Sequence, residues 1–507
     1  MSYSELDPRR IGLGCLAVLT VGLALFGLAI LVAPYYTTQL WWFIRESLFI
    51  WIPLGIVVVL WIITPTVFDE RNPAAGIGFG LLASAATIGM VLLWVVHGYW
   101  EHQTYAGSVR VTTAPVPELA IRSPFNVAER QASADLGDTV GDLQTTMYLP
   151  DQRHFTTLVG QKGAVSGYAT LLVQDIGDAG RNGHELCGFS PAATRRFGGL
   201  FSSSLGRLIN DHERFVNWDD GDVYGYCDRG HPVVVVPLKQ QSGVFVVTER
   251  PAGLALYRGD TGSLDIVTDP AQVAKIPGPT YPLSLASSQR DSVQAMNGFW
   301  NYFWDRSGWE LPSDLNEINS DNIGEYVLAD NAGSAMYVTL LTPRGGNTSV
   351  AAISTTSARL GVTGELAPLT VHHTRWLSPQ AIEQRIRANF GPVFTAQPGA
   401  TIAELAPVSE DDWVATIGLL QNMLYRVKGR GDLTDLCLYQ LDGRQLQCGP
   451  MTNVNGYGPG AAVGQLTGSG ASSGPASAAS DLHNLPTPAL LDLINRANGE
   501  LANRASR

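Results

Sequence analysis

The chain has 507 residues, 45% of them hydrophobic, with 33 basic against 45 acidic side chains for a net charge of −12. This length suits two or three domains. The first hundred residues hold five acids and four arginines, which leaves 40 acids and 29 basic residues, a net of −11, on the remainder. A remainder this acidic argues against nucleic acid or an anionic membrane surface as the main partner. Arginine outnumbers lysine 29 to 4, which with abundant Ala, Gly and Val fits a GC-rich bacterial genome.

The long apolar runs lie at the start. Residues 11–33 are 23 consecutive uncharged, mostly apolar positions, about 35 Å of helix at ~1.5 Å per residue. Further spans are expected at about 47–68, interrupted by Pro53 and Pro65, and 75–96. Each exceeds the roughly 20 residues a bilayer core requires. The first is too long for a signal peptide and lacks a small-residue cleavage pattern. Cys15 follows Leu-Gly but has no hydrophobic region before it, so lipidation there is disfavoured.

Flanking charge orients the spans. Arg9 and Arg10 precede the first, and Arg71 lies between the second and third; both sites belong to the cytoplasm if the amino terminus does. Tyr35, Tyr36, Trp41 and Trp42 then share the opposite side with Tyr99 and Trp100, as interfacial aromatics do. Three crossings of the plasma membrane from a cytoplasmic start would place everything beyond residue 100 outside. Gly76, Gly80 and Ser84 form a small-residue stripe on the third span that would let another helix approach, in this chain or in a second copy.

Residues 101–135 show no clear pattern and read as a stalk. Beyond them, short Val, Thr, Tyr and Leu runs alternate with Gly, Asp, Asn and Pro, the texture of a β-rich region. Strands are expected at 155–158, 169–175, 232–238, 244–249, 335–341, 349–354 and 413–417. Two segments open with Ser-Pro, an N-cap followed by the favoured first helical residue: SPAATRRFGGLF from Ser190 and SPQAIEQRIRANF from Ser378. In the second, Ile382, Ile386 and Phe390 make an apolar stripe that Gly391-Pro392 ends.

Their surroundings also match. TLLVQD and YVTLLTP precede the two segments, and GLALYRGDTGSLDIV (253–267) resembles NMLYRVKGRGDLTDLCL (422–438). The fold class expected is therefore an N-terminal three-helix transmembrane bundle followed by a β-rich α+β extracytoplasmic region, with two related units in tandem at 136–275 and 318–454. Between them, at 276–317, lie IPGPTYPL, read as a proline-stiffened joint, and an aromatic helix. In that helix Val293, Met296, Trp300 and Phe303 share one face, widened by Phe299, Tyr302 and Trp304. Such a stripe most often belongs to a core; its alternative is a grip on a partner, a glycan or the bilayer, with Trp300 and Trp304 as the candidates.

Four cysteines, Cys187, Cys227, Cys437 and Cys448, fall in the exported region, as a disulfide framework would require. In CLYQLDGRQLQC a two-residue turn at Asp442-Gly443 would pair Leu441 with Arg444 and bring Cys437 opposite Cys448. That leaves Cys187 for Cys227. Residues 455–485, rich in Gly, Ala and Ser, read as a flexible tether. Residues 486–507 read as a short amphipathic helix whose Leu490, Leu491 and Ile494 are candidates for docking.

No strong catalytic motif is present: no Walker loop, HExxH or GxSxG. NWDDGDVYGYCDRGH (217–231) gathers Asp219, Asp220, Asp222, Asp228 and His231, offering a carboxylate pair or oxygen ligands; solvated turns have the same composition. Asp220, Asp222 and His231 are the catalytic candidates. NSDNIGEYVLAD (319–330) departs from a calcium loop at Ile323, and His372-His373 on a strand would face opposite ways. No cofactor is expected, and calcium is the only ion the acids could suggest. The leading functional expectation is a non-enzymatic binding or scaffolding component of a cell-envelope complex, in secretion, assembly or sensing. Its partners would be the bilayer and either other envelope proteins or further copies of the chain. The alternative is an exported hydrolase of an envelope polymer using carboxylates within 219–228.

Overall fold

The computed structural model describes residues 20–22, 24, 27–67, 73–136, 141–150, 153–177, 180–312, 326–420 and 422–451. Cys15, most of the first expected span, the start of the calcium-like segment, the tether at 455–485, and Leu490, Leu491 and Ile494 lie outside them.

The described residues between 20 and 32 are helical, and three helices follow: α1 (Pro34–Glu46), α2 (Leu48–Val67) and α3 (Pro73–Ala106). Among the described residues one helix, Ala74–Ala106, is long and apolar enough by itself to cross a membrane, whereas α1 and Leu48–Thr64 meet that standard only as a pair bent by 63°. Residues 34–46, expected to be a loop, are therefore a helix, with Pro34 at its first turn and the bend at Ser47, whose hydroxyl donates back to Phe43 O over 2.7 Å.

α2 and α3 pack along small residues. Gly76 is buried, Gly80 faces Thr64, whose Cγ2 would lie 3.9 Å from an added Cβ, and Ala83 is fully buried. Ser84 is exposed, its hydroxyl donating to Gly80 O. The contact face thus alternates steps of four and three, as a 3.6-residue period demands, and departs from the expected stripe at Ser84.

Among the described residues the rest is β-rich, with four sheets and intervening helices. Asp142–Leu149, His154–Gly160, Tyr168–Gly177 and Gly180–Gly188 form an antiparallel meander. A second sheet centres on His231–Ser242 and Thr248–Arg258, a third holds Tyr326–Ala329, Ala335–Pro343, Ala352–Ser357 and Leu369–His373, and a fourth runs from Thr401 to Cys448. Both segments follow one order: a four-strand meander, a helix (Leu205–His212, then Pro379–Asn389), and a second antiparallel sheet. The run VVVV at 233–236 shows why the sheets stack. Val233 and Val235 enter one core with Leu254 and Leu256, while Val234 and Val236 enter another with Ala255 and Tyr257. A strand buried on both faces reads as continuous apolar sequence.

Several expectations are corrected. The stalk at 101–135 is part of the body: α3 continues to Ala106, Val109–Thr112 pairs in parallel with Leu369–His373, and Phe125–Leu136 is a helix burying Val127, Ala128 and Ala132. The joint is core, because Ile276 to Pro282 are all buried and Tyr281 donates its hydroxyl to Gln289. The segment after Ser190 forms turns, with Gly198 and Phe201 at positive φ; the helix starts at Leu205, its first turn capped by Ser204 Oγ accepting from Arg207 N at 3.3 Å. Ser378 caps Pro379–Asn389 as expected, accepting from Ala381 N at 3.1 Å. Residues 244–247 are a hairpin tip rather than a strand, and the strand begins at Thr248.

Gly278 tests the buried joint. Its φ is +83°, and an added Cβ would overlap Leu149 Cδ2 and lie 2.8 Å from Tyr224 Cε2. Left-handed strain and overpacking together give Gly278→Ala an expected loss of roughly 2–5 kcal/mol, read by chemical denaturation; a loss under about 1 kcal/mol would be typical of an exposed linker.

Candidate functional site

Both disulfides are formed. Cys187–Cys227 ties the meander's last strand to Tyr224–Asp228 of the second sheet, with Cα atoms 6.3 Å apart. Cys437 and Cys448 are direct register partners with Cα atoms 4.0 Å apart. The loop between them differs from expectation. Gln440 N donates to Arg444 O and Gly443 N to Gln440 O, so three residues, with Gly443 at φ +85°, form the turn. A register shift between Leu438 and Tyr439 compensates and restores the opposition of the cysteines.

The acidic segment does not converge. Asp219 Oδ1 accepts from Gly221 N at 2.9 Å and opens a short 3₁₀ turn over Asp220–Asp222. Asp222 is buried, and its carboxylate accepts the Ser284 hydroxyl at 2.6 Å and the Ser284 N–H at 3.0 Å. Asp228 and His231 pair across the far hairpin and are exposed, six residues and roughly 20 Å of strand from Asp222. Asp220 lines a cleft of about 270 Å³ with Tyr168, Arg196 and Gln144. No group of three metal-ligating side chains occurs among the described residues.

Burial pushes the Asp222 carboxyl from its ordinary 3.8 up to about 6, against the Ser284 hydrogen bonds and the Lys239 charge, which pull it down. A carboxyl whose pKa is higher folded than unfolded stabilises the fold while protonated, and that contribution is lost as pH rises through the folded value. Stability from this group should therefore decline between about pH 4 and 6. Asp222→Asn, which keeps an acceptor for the Ser284 N–H, is expected to flatten that decline in denaturation curves taken across the range. An unchanged slope would separate Asp222 from the pH dependence.

A cleft of about 620 Å³ lies where residues 118–122, the meander, the third sheet and the fourth sheet meet, with Glu118, Arg122, Tyr148, Asp330 and Asp412 in its wall. Its acids shape the wall: Asp330 Oδ1 accepts from Ala332 N and Ser334 N, Asp412 Oδ2 accepts from Ser409 Oγ, and Glu118 accepts from Asn331. Arg122 is at its floor. Its guanidinium makes a two-pronged ion pair with Glu404, at 2.6 and 2.9 Å, and donates Nε–H to Val327 O at 2.9 Å; both side chains are buried. Glu404 also accepts from Phe125 N and sits at φ +48° in a β-bulge between Ala403 and Leu405. The rings of Tyr148 and Phe155 lie 5.5 and 5.8 Å from the guanidinium carbon. The sequence signals this pair only by a lone carboxylate inside the apolar run TIAELAP.

The aromatic segment divides. Leu283–Asp291 is helical, Ser292–Ala295 a 3₁₀ turn, and Asn301–Asp305 a π turn, with Val293 and Ala295 buried. Phe299 and Tyr302 pack on Tyr99 of α3 with ring centroids 5.2 and 5.4 Å away. Trp300 and Trp304 instead stand 71% and 61% exposed, 4.7 Å from each other. His372 is buried between Thr355 and Ala114 O, while His373 is exposed and contacts Trp309, so the adjacent histidines do face apart.

Comparison of the chain with protein-family models, curated proteins and solved structures gives no match. What the fold defines is a β-rich, disulfide-bonded body joined to a helix able to cross a membrane.

Proposed function

We propose that the chain is a membrane-anchored binding or scaffolding component of a bacterial cell-envelope complex, with a cytoplasmic amino terminus, crossings at 11–33, 47–68 and 75–96, and its body outside. The helix contacts support this arrangement. Trp42 Nε1 of α1 donates to Phe215 O over 3.2 Å, and Tyr105 at the end of α3 accepts from Glu249 N over 2.7 Å. In this reading residues 34–46 and 97–106 share the side of the membrane that holds the body. The apolar hairpin of α2 and α3, with Ile56, Trp61, Leu81 and Ile88 all about half exposed or more, would fill the bilayer between them. Disulfides persist on the oxidising side.

The observation that favours binding over catalysis is the use of the acids. Asp222 is committed to Ser284, and Asp228 and His231 lie at the opposite end of their hairpin, out of reach of a shared substrate. The hydrolase alternative rests on Asp220 beside Arg196 in the smaller cleft. Crosslinking in native membranes, followed by purification and identification of partners, is expected to yield a stoichiometric set of envelope proteins. Recovery of the chain alone, with an envelope-polymer cleavage abolished by Asp220→Ala, would favour the hydrolase.

A further inference from the structure

Among the described residues, protein covers one of the two apolar faces of α1. Towards the body, Thr38 and Trp42 are buried. Thr38 Oγ1 accepts from Phe215 N, Trp41 meets the Phe215 ring at 5.9 Å, and the Arg45 guanidinium donates to Gln241 O and Gly243 O. On the other side Leu40 and Phe43, three residues apart, are 48% and 59% exposed, while Tyr36, at the edge of that face, accepts from the Arg207 guanidinium at 2.8 Å and holds it 4.9 Å from its ring.

Two further apolar edges lie at the level where the apolar run of α3 ends. The hairpin tip at 243–246 exposes Val244 and Phe245. Phe245 O is 3.3 Å from His97 Nε2, and the His97 ring stacks on Phe49 of α2 at 3.6 Å. The second edge is Trp300 and Trp304, attached through Phe299 to Tyr99. The tip and the ledge thus each touch α3 just beyond its apolar run, at His97 and at Tyr99.

We propose that α1, the Val244–Phe245 tip and the Trp300–Trp304 ledge rest together in the headgroup region of the bilayer, seating the body on the lipid surface. This deepens the anchoring reading and rests on it. Aromatic residues with one apolar and one polar side collect at that depth, and an amphipathic helix at a steep angle to a spanning helix is the form an interfacial segment takes. The 63° bend between α1 and α2 supplies that angle. The lipid contact is apolar rather than ionic: Arg45 is directed onto backbone carbonyls of the body, and the exported region has a net charge of −11, so attraction to anionic headgroups contributes little.

The test is photocrosslinking of the full chain in native membranes, with benzoylphenylalanine placed singly at Phe43, Phe245, Trp304 and, as a measure of insertion, Ile88. Phospholipid adducts are expected at all four sites, with yields at Phe43, Phe245 and Trp304 within a few-fold of that at Ile88. Lipid adducts at Ile88 alone, or protein adducts at the other three, would overturn the seated body while leaving the anchor intact. Absence of lipid at Ile88 as well would overturn the anchor and, with it, the seating.

Discussion

Arg122→Ala or Glu404→Ala is expected to lower the stability of the body by about 3–5 kcal/mol, because each leaves the other charge buried without its partner. The network concentrates four parts of the chain at one point. Arg122 comes from the segment after the first parallel strand, Val327 from the third sheet, Glu404 from the fourth, and Tyr148 and Phe155 from the meander. A buried pair is weak support for stability when both members are replaced together, so Arg122→Met with Glu404→Leu should recover much of the loss. Denaturation of the detergent-solubilised chain, followed through its aromatic circular dichroism, measures all three. Equal losses in single and double variants would mean that packing, rather than the unpaired charge, dominates.

The disulfides should differ in weight. Cys187–Cys227 spans 40 residues and Cys437–Cys448 spans 11. In the chain-entropy description the longer loop contributes about 4 kcal/mol and the shorter about 3. Paired serine replacements at 187 and 227 are therefore expected to destabilise more than those at 437 and 448. The first pair also joins two sheets, whereas the second closes a hairpin whose strands already pair. The order is read from denaturation midpoints under oxidising conditions and should vanish when both proteins are reduced. A larger effect at 437 and 448 would show that the hairpin needs its bond to form.

Much of the architecture is legible in local patterns. The helix after Ser378 follows from one cap and three apolar residues, and the cysteine pairing follows from strand alternation. Long-range compensation is less visible. The hairpin has a three-residue turn and a bulge whose register effects cancel, so its cysteines meet although the turn differs from the Asp-Gly pattern. IPGPTYPL reads as a linker because proline and glycine punctuate loops; here they let the backbone pass tightly between Leu149, Tyr224 and Ala358, where Tyr281 N donates to Ala358 O. The short aromatic run gives no sign that its tryptophans turn away from the body while its phenylalanines turn inward, since that division depends on where α3 passes. The acids at 219–228 look clustered in sequence because a strand separates them by only a few residues, yet extended backbone carries them far apart.

The placement of the body beyond the membrane is tested most directly by labelling amines on intact cells with a membrane-impermeant reagent. The chain has four lysines, none in the first hundred residues, and Lys162 and Lys275 are exposed on the body. Modification of both in intact cells, found by mass spectrometry, is the predicted result; modification confined to lysed cells would contradict it.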